Sequence, residues 1–134
     1  MCIRNIKMEI VERNNKSNYL KPDGTYLSNV WFDDVCCFRD EFARVKLNNK
    51  WNFIKSDGTY LFNVWFDAVY DFKDGFARVE LNNKWNFIDK KGKLLSDTWF
   101  VYADDFYDEF AYVNLNNDLY KLDTRGNLYF TVRK

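Results

Sequence analysis

The chain has no histidine, a single proline, five glycines and three cysteines among its 134 residues. Without histidine the commonest general base at neutral pH and the commonest zinc ligand are both missing. Neither a Gly-x-Ser-x-Gly turn, a phosphate loop nor a dinucleotide fingerprint occurs, so the usual parts for hydrolytic, nucleotide or redox-cofactor chemistry are lacking. Cys2 and the adjacent Cys36 and Cys37 show no CxxC spacing; three such residues read as reduced thiols of a cytoplasmic protein, without a metal site. No apolar run approaches the ~20 residues that a membrane span needs. Residues 1–9 interleave charge with apolar side chains, where a secretory signal requires an unbroken apolar core. One-signed charge is lacking too: 20 Lys and Arg balance 20 Asp and Glu, which removes the electrostatic footprint of a nucleic-acid or anionic-membrane binder.

What the chain has instead is bulk. Apolar residues make up 47% and aromatics 20%, enough side chain to bury one core at this length, so a single repeat domain over residues 1–134 is expected. Sliding the sequence against itself by 34 positions aligns residues 15–48 with 49–82 without a gap, with 23 of 34 identical, and residues 83–116 match the same template at 18 of 34. A fixed period of this length marks a unit that cannot bury its apolar face alone and stacks on its neighbours. The division is an N-terminal capping strand and partial unit over 1–48, full units at 49–82 and 83–116, and a partial capping unit over 117–134. Ser17 and Tyr19 replace the Trp and Phe found at 51/85 and 53/87, and Leu119 and Lys121 replace them at the other end, as befits units with one neighbour fewer. Residues 1–7 read as a lead-in, and 129–134 as a closing strand or tail. Cys36 and Cys37 stand where the other copies have Tyr70-Asp71 and Asp104-Asp105, so they are outside whatever the copies share.

Within one unit, Phe76 to Leu81 alternates, with Ala77, Val79 and Leu81 on one face and Arg78 and Glu80 on the other, which is the pattern of a half-buried strand. Asn82-Asn83-Lys84 reads as a turn, and Trp85 to Ile88 as the returning strand. A two-residue loop would set Glu80 against Trp85 and Arg78 against Phe87; one extra residue would instead pair Leu81 with Trp85 and Val79 with Phe87, so a bulge or three-residue loop is expected. A third strand follows the turn Ser56-Asp57-Gly58-Thr59, and the connector Asn63 to Phe72 is rich enough in strand formers to supply a fourth. The fold class is therefore all-β, with tandem antiparallel three-to-four-strand repeats forming an open twisted array or a small propeller-like ring.

The block Asp74-Gly75-Phe76-Ala77-Arg78-Val79 followed by Asn83-Lys84-Trp85-Asn86-Phe87-Ile88-Asp89 resembles the WG (KWG) repeats of bacterial and phage proteins, over about residues 8–128. Asn49, Asn83 and Asn117 stand where that family often has its turn glycine, and Asn52 and Asn86 stand where it has the glycine of its name. Asn tolerates left-handed backbone next best, so the same backbone is expected at both places. The resemblance implies an all-β repeat fold used for binding, and it brings no catalytic residues and no cofactor.

Binding is accordingly the expected role. Trp31, Trp65 and Trp99 recur in the connector, Arg44 and Arg78 on the polar face of their strand, and Asp33 and Asp67 beside them. Trp, Arg and Asp together can make hot spots or sugar-stacking platforms, while a repeated Trp can equally be core between units. Trp51 and Trp85 are expected inward by their strand period; the connector tryptophans are the better candidates for a surface. The leading reading is a non-enzymatic protein-binding module in the cytoplasm. Two others stay open: a lectin-like binder of carbohydrate or small ligands with one pocket per unit, and a structural or self-associating unit that pairs through open sheet edges.

Overall fold

The computed structural model describes residues 8–131, and its regular structure is entirely β. The expected lead-in at 1–7, with Cys2, and positions 132–134 of the closing segment lie outside those residues. Twelve strands follow in order: β1 (Glu9–Arg13), β2 (Lys16–Leu20), β3 (Asp34–Val35), β4 (Phe42–Leu47), β5 (Lys50–Lys55), β6 (Ala68–Lys73), β7 (Phe76–Leu81), β8 (Lys84–Asp89), β9 (Tyr102–Ala103), β10 (Phe110–Leu115), β11 (Asp118–Asp123) and β12 (Leu128–Phe130). They form small antiparallel sheets of order β1-β2, β3-β4-β5, β6-β7-β8 and β12-β11-β10-β9. The connector does supply a strand in each later copy, namely β3, β6 and β9. The strand expected after the Gly turn is complete only as β12; elsewhere it shrinks to one bridging residue, Tyr26, Tyr60 or Leu94.

The hairpin turn is tighter than expected. Leu81 pairs with Lys84, Glu80 with Trp85 and Arg78 with Phe87, so the loop has two residues and the extra residue is absent. Asn82 and Asn83 both take positive φ, 54° and 65°, the backbone of a type I′ turn, whose twist matches that of the flanking strands. The four Asn-Asn hairpins share it, at Asn14-Asn15, Asn48-Asn49, Asn82-Asn83 and Asn116-Asn117. The mixed face that argued against this register is attractive in practice. The Arg78 guanidinium lies 5.2 Å over the Trp85 ring and 4.7 Å over Tyr70, and an aromatic face draws a cation.

The second Asn position departs from expectation. Asn18, Asn52 and Asn86 lie in extended strands, are absent from the positive-φ residues, and are fully buried. A strand interior has no use for left-handed backbone there; the side chain does the work, as described below. Cysteine also differs: Cys37 stands in a disulfide, while Cys36 keeps its thiol, so the three are not all reduced. Neighbouring side chains of an extended chain point opposite ways, and only one of the adjacent pair can turn toward a given partner.

The chain divides into two compact units, one ending at Trp65 and the other beginning at Phe66. In the first, the core gathers Tyr19, Phe32, Phe38, Ala43, Val45 and Ile54. The Phe38 ring meets Tyr19 edge-on at 5.0 Å, and Ala43 and Val45 of β4 share the core with Tyr19, so the apolar face of β4 packs on the Tyr19 side of the β1-β2 hairpin. The other unit repeats the arrangement: Phe106 stacks on Phe76 at 4.6 Å and meets Phe87 at 4.8 Å, closing a core with Phe100, Ala103, Ala111, Val113 and Leu122. Each of these large rings contributes about 1.5–3 kcal/mol by burial. In both units, therefore, a sheet has a forward face, the one carrying Phe76, Arg78, Trp85 and Phe87, on which the rear face of the next sheet packs. The free edge of the returning strand is also taken up. Ser17 and Phe32 exchange two backbone hydrogen bonds of 2.8 Å, as do Trp85 and Phe100, so the connector shields an edge that would otherwise be open to aggregation.

Candidate functional site

The connectors leave the sheets through two built turns. Asp23 accepts the Thr25 N–H at 2.9 Å and the Thr25 hydroxyl at 2.6 Å, and Asp57 does the same for Thr59 at 3.0 and 2.6 Å. These hydroxyl and N–H donors hold both carboxyls below the usual carboxylate range. Gly24 and Gly58 take φ of +89° in those turns. Gly58 is also forced by space, because a Cβ there would come within 2.8 Å of the Leu27 carbonyl oxygen. The second turn thus rests directly on the first connector, and equivalent side chains emerge beside each other.

The buried asparagines aim the connector. Asn18 donates its amide to the Ser28 carbonyl at 2.8 Å, Asn52 to Phe62 at 2.8 Å and Asn86 to Ser96 at 2.9 Å. Each accepts in return the N–H of the residue after it, at 2.7, 2.7 and 2.8 Å. A buried amide needs such partners, and here they pin the carbonyl three residues before the connector tryptophan. Recurrence of Asn at the 34-residue period was the signal available in the sequence; reading it as backbone rather than side chain obscured the latch.

Trp31 and Trp65 are half-buried in the unit that ends at Trp65. Trp31 meets Tyr26 at 4.9 Å, with the Arg13 guanidinium 5.2 Å above it and bonded to the Tyr26 hydroxyl at 2.9 Å. Trp65 meets Tyr60 at 5.0 Å, and both pack on the margin of the core. Beside each tryptophan a valine reaches solvent, Val30 at 38% and Val64 at 45% exposure. Tyr26, Tyr60, Val30, Val64 and Arg13 were not among the expected site residues, although the first four recur in register. Trp99, in the other unit, is also half-buried, and Leu94 replaces the tyrosine there.

The remaining candidates do other things. Asp33 accepts the Asn48 N–H and Asp67 the Asn82 N–H, each at 2.8 Å, so both clasp a hairpin turn; Asp33 also pairs with Lys16. The Lys16 hydrogen bond, then the Asn48 N–H, hold Asp33 below the usual carboxylate range. Arg78 donates to Asp105 at 2.7 Å and to the Ala103 carbonyl at 2.9 Å, and so ties one sheet to the next. Arg44 is half-buried on β4, opposite Phe53. Trp51 and Trp85, expected inward, are half-buried, under the Lys46 ammonium at 5.8 Å and the Arg78 guanidinium respectively. Of the seven candidates, Trp31, Asp33, Arg44 and Trp65 lie in the unit that ends at Trp65, and Asp67, Arg78 and Trp99 in the other.

Residues 32–51, 53–85 and 87–120 each match the model of the WG containing repeat. No curated protein matches the chain. A solved structure described as a protein of unknown function from Bacteroides caccae is similar, with a TM-score of 0.40 and 17% identity over 89% of this chain and 54% of that one. The chain thus spans about half the length of that protein.

Proposed function

We propose, proceeding from the fact that this chain belongs to the WG containing repeat family, that it is a non-enzymatic module which binds a partner protein through its connector ridge. The observation that carries the reading is the duplicated set Tyr26, Val30, Trp31 and Tyr60, Val64, Trp65. Trp and Tyr supply large, rigid contact area at low entropic cost, and they dominate binding hot spots. Latching of the connector by Asn18 and Asn52 supports a surface ordered before binding, which lowers the cost of association. A protein partner is favoured over a sugar because the tryptophan rings are already engaged by tyrosine and Arg13. What they leave in solvent is branched aliphatic surface. The proposal includes a bacterial or phage-infected cell as the source; a cytoplasmic location, read from three reduced thiols, loses that support with Cys37 in a disulfide.

The test is a double substitution, Val30→Lys with Val64→Lys, at side chains exposed enough to leave the core untouched. Capture of partner proteins from a lysate of the source cell should fall about tenfold or more while the melting temperature stays within about 3 °C. Undiminished capture by the doubly substituted protein would remove the ridge from consideration.

A further inference from the structure

A tyrosine stands alone at the tip of the turn between β9 and β10. Tyr107 and Phe110 close that turn with backbone hydrogen bonds of 2.8 and 3.2 Å. Asp108 and Glu109 between them take φ of 53° and 75°, a two-residue loop in left-handed backbone. Phe106, one residue earlier, is sealed in the core against Phe76 and Phe87. Successive side chains of an extended chain point opposite ways, so Tyr107 is driven outward, and it is 83% exposed. Tyr102, Tyr112 and Tyr129 reach only 43%, 45% and 48%, and the Tyr129 hydroxyl is taken by Asp123. Among the described residues, nothing bonds the Tyr107 hydroxyl.

The fold asks for no aromatic there. Arg39 and Lys73 hold the same place in the earlier copies and both are exposed, so the position faces solvent whether or not another copy follows. The flanking side chains Asp104, Asp108 and Glu109 are exposed as well, and the Asp74 carboxylate accepts the Asp108 N–H at 3.3 Å. We propose that Tyr107 is a phosphoryl acceptor, modified by a tyrosine kinase with a basic substrate cleft. Its hydroxyl oxygen attacks the γ-phosphorus of a nucleoside triphosphate, and an O–P bond to tyrosine forms as the bond from that phosphorus to the β–γ bridging oxygen breaks. The nucleoside diphosphate leaves, and the phenolic proton passes to the base of the kinase. A phenol that projects from a fixed surface turn enters a cleft without unfolding of the strands behind it. Carboxylates on both sides of the acceptor steer it toward a cleft of the opposite sign. The product carries about −1.5 to −2 charge on an outward side chain, so the mark changes the surface and leaves the Phe106 core alone.

The experiment incubates the folded full chain with a lysate of the source cell and γ-labelled ATP, and locates the label by digestion and mass spectrometry. Tyr107→Phe, Tyr112→Phe and the pair Asp104→Lys with Glu109→Lys are run beside the wild type; all four positions are exposed, and unchanged circular dichroism shows that each variant is folded. Label is expected on the peptide that carries Tyr107, lost in Tyr107→Phe, kept in Tyr112→Phe, and incorporated about tenfold more slowly in the charge-reversed chain. An unlabelled wild-type chain, label that persists in Tyr107→Phe, or a charge reversal without effect would each overturn the proposal. Val30 and Val64 are unaltered in these variants, so the connector ridge is judged independently.

Discussion

The amide of Asn86 makes two contacts that no apolar side chain of its size could make, giving a proton to the Ser96 carbonyl and taking one from the Phe87 N–H. The bond from Phe87 is buried and the one to Ser96 part-buried, so truncation leaves a buried N–H and a half-covered carbonyl unsatisfied. Asn86→Ala is expected to destabilise the chain by about 2–4 kcal/mol, measured by urea denaturation. Asn86→Asp should cost at least as much, because a carboxylate cannot donate to Ser96 and is costly to bury. A neutral effect of both changes would show that the latch is incidental. This residue also marks a limit of reading sequence. Its recurrence at 18, 52 and 86 was visible, but whether a recurrent Asn serves through its backbone or its amide depends on burial. At Asn83 the backbone answer was right, since φ is 65°; three positions later, inside a covered strand, it was not.

Among the elements, the final turn before β12 is closed around one carboxylate. Burial opposes ionisation of Asp123, yet the N–H groups of Asn127 and Arg125, the Tyr129 hydroxyl and the Asn127 amide together hold its carboxyl down to about 2. A carboxyl depressed in the folded chain stabilises it above the ordinary carboxylate range, and that contribution is lost as pH falls toward the folded value. The β12 segment should therefore loosen between about pH 4 and about pH 2, ahead of the β10-β11 hairpin. Amide hydrogen exchange at Leu128 to Phe130 would register it; Asp123→Asn should bring the loosening to neutral pH, and equal protection across the acid range in both proteins would refute it. The hairpins themselves were legible, because alternation and the Asn pair specify strand, turn, strand. Their register was misjudged because charge beside an aromatic was counted as conflict. With the guanidinium of Arg78 lying over Trp85 and Tyr70, the same juxtaposition is favourable.

For the whole molecule, 20 positive and 20 negative side chains leave no net field to keep copies apart near neutrality. Solubility should pass through a minimum close to the sequence pI of 6.3 and improve on either side, as turbidity against pH would show; a flat profile would count against it. The sequence alone determined that one 34-residue pattern recurs, that it makes antiparallel β-units, and that its ends carry altered aromatics, because period and alternation are local properties of the chain. Only the tertiary structure decided that Asn18, Asn52 and Asn86 turn inward, that Asp33 and Asp67 clasp turns, and that Arg78 bridges sheets while valines flank the connector tryptophans. Those outcomes depend on which face the next sheet covers, and a side chain's neighbours across such a contact are distant in sequence, where no periodicity records them.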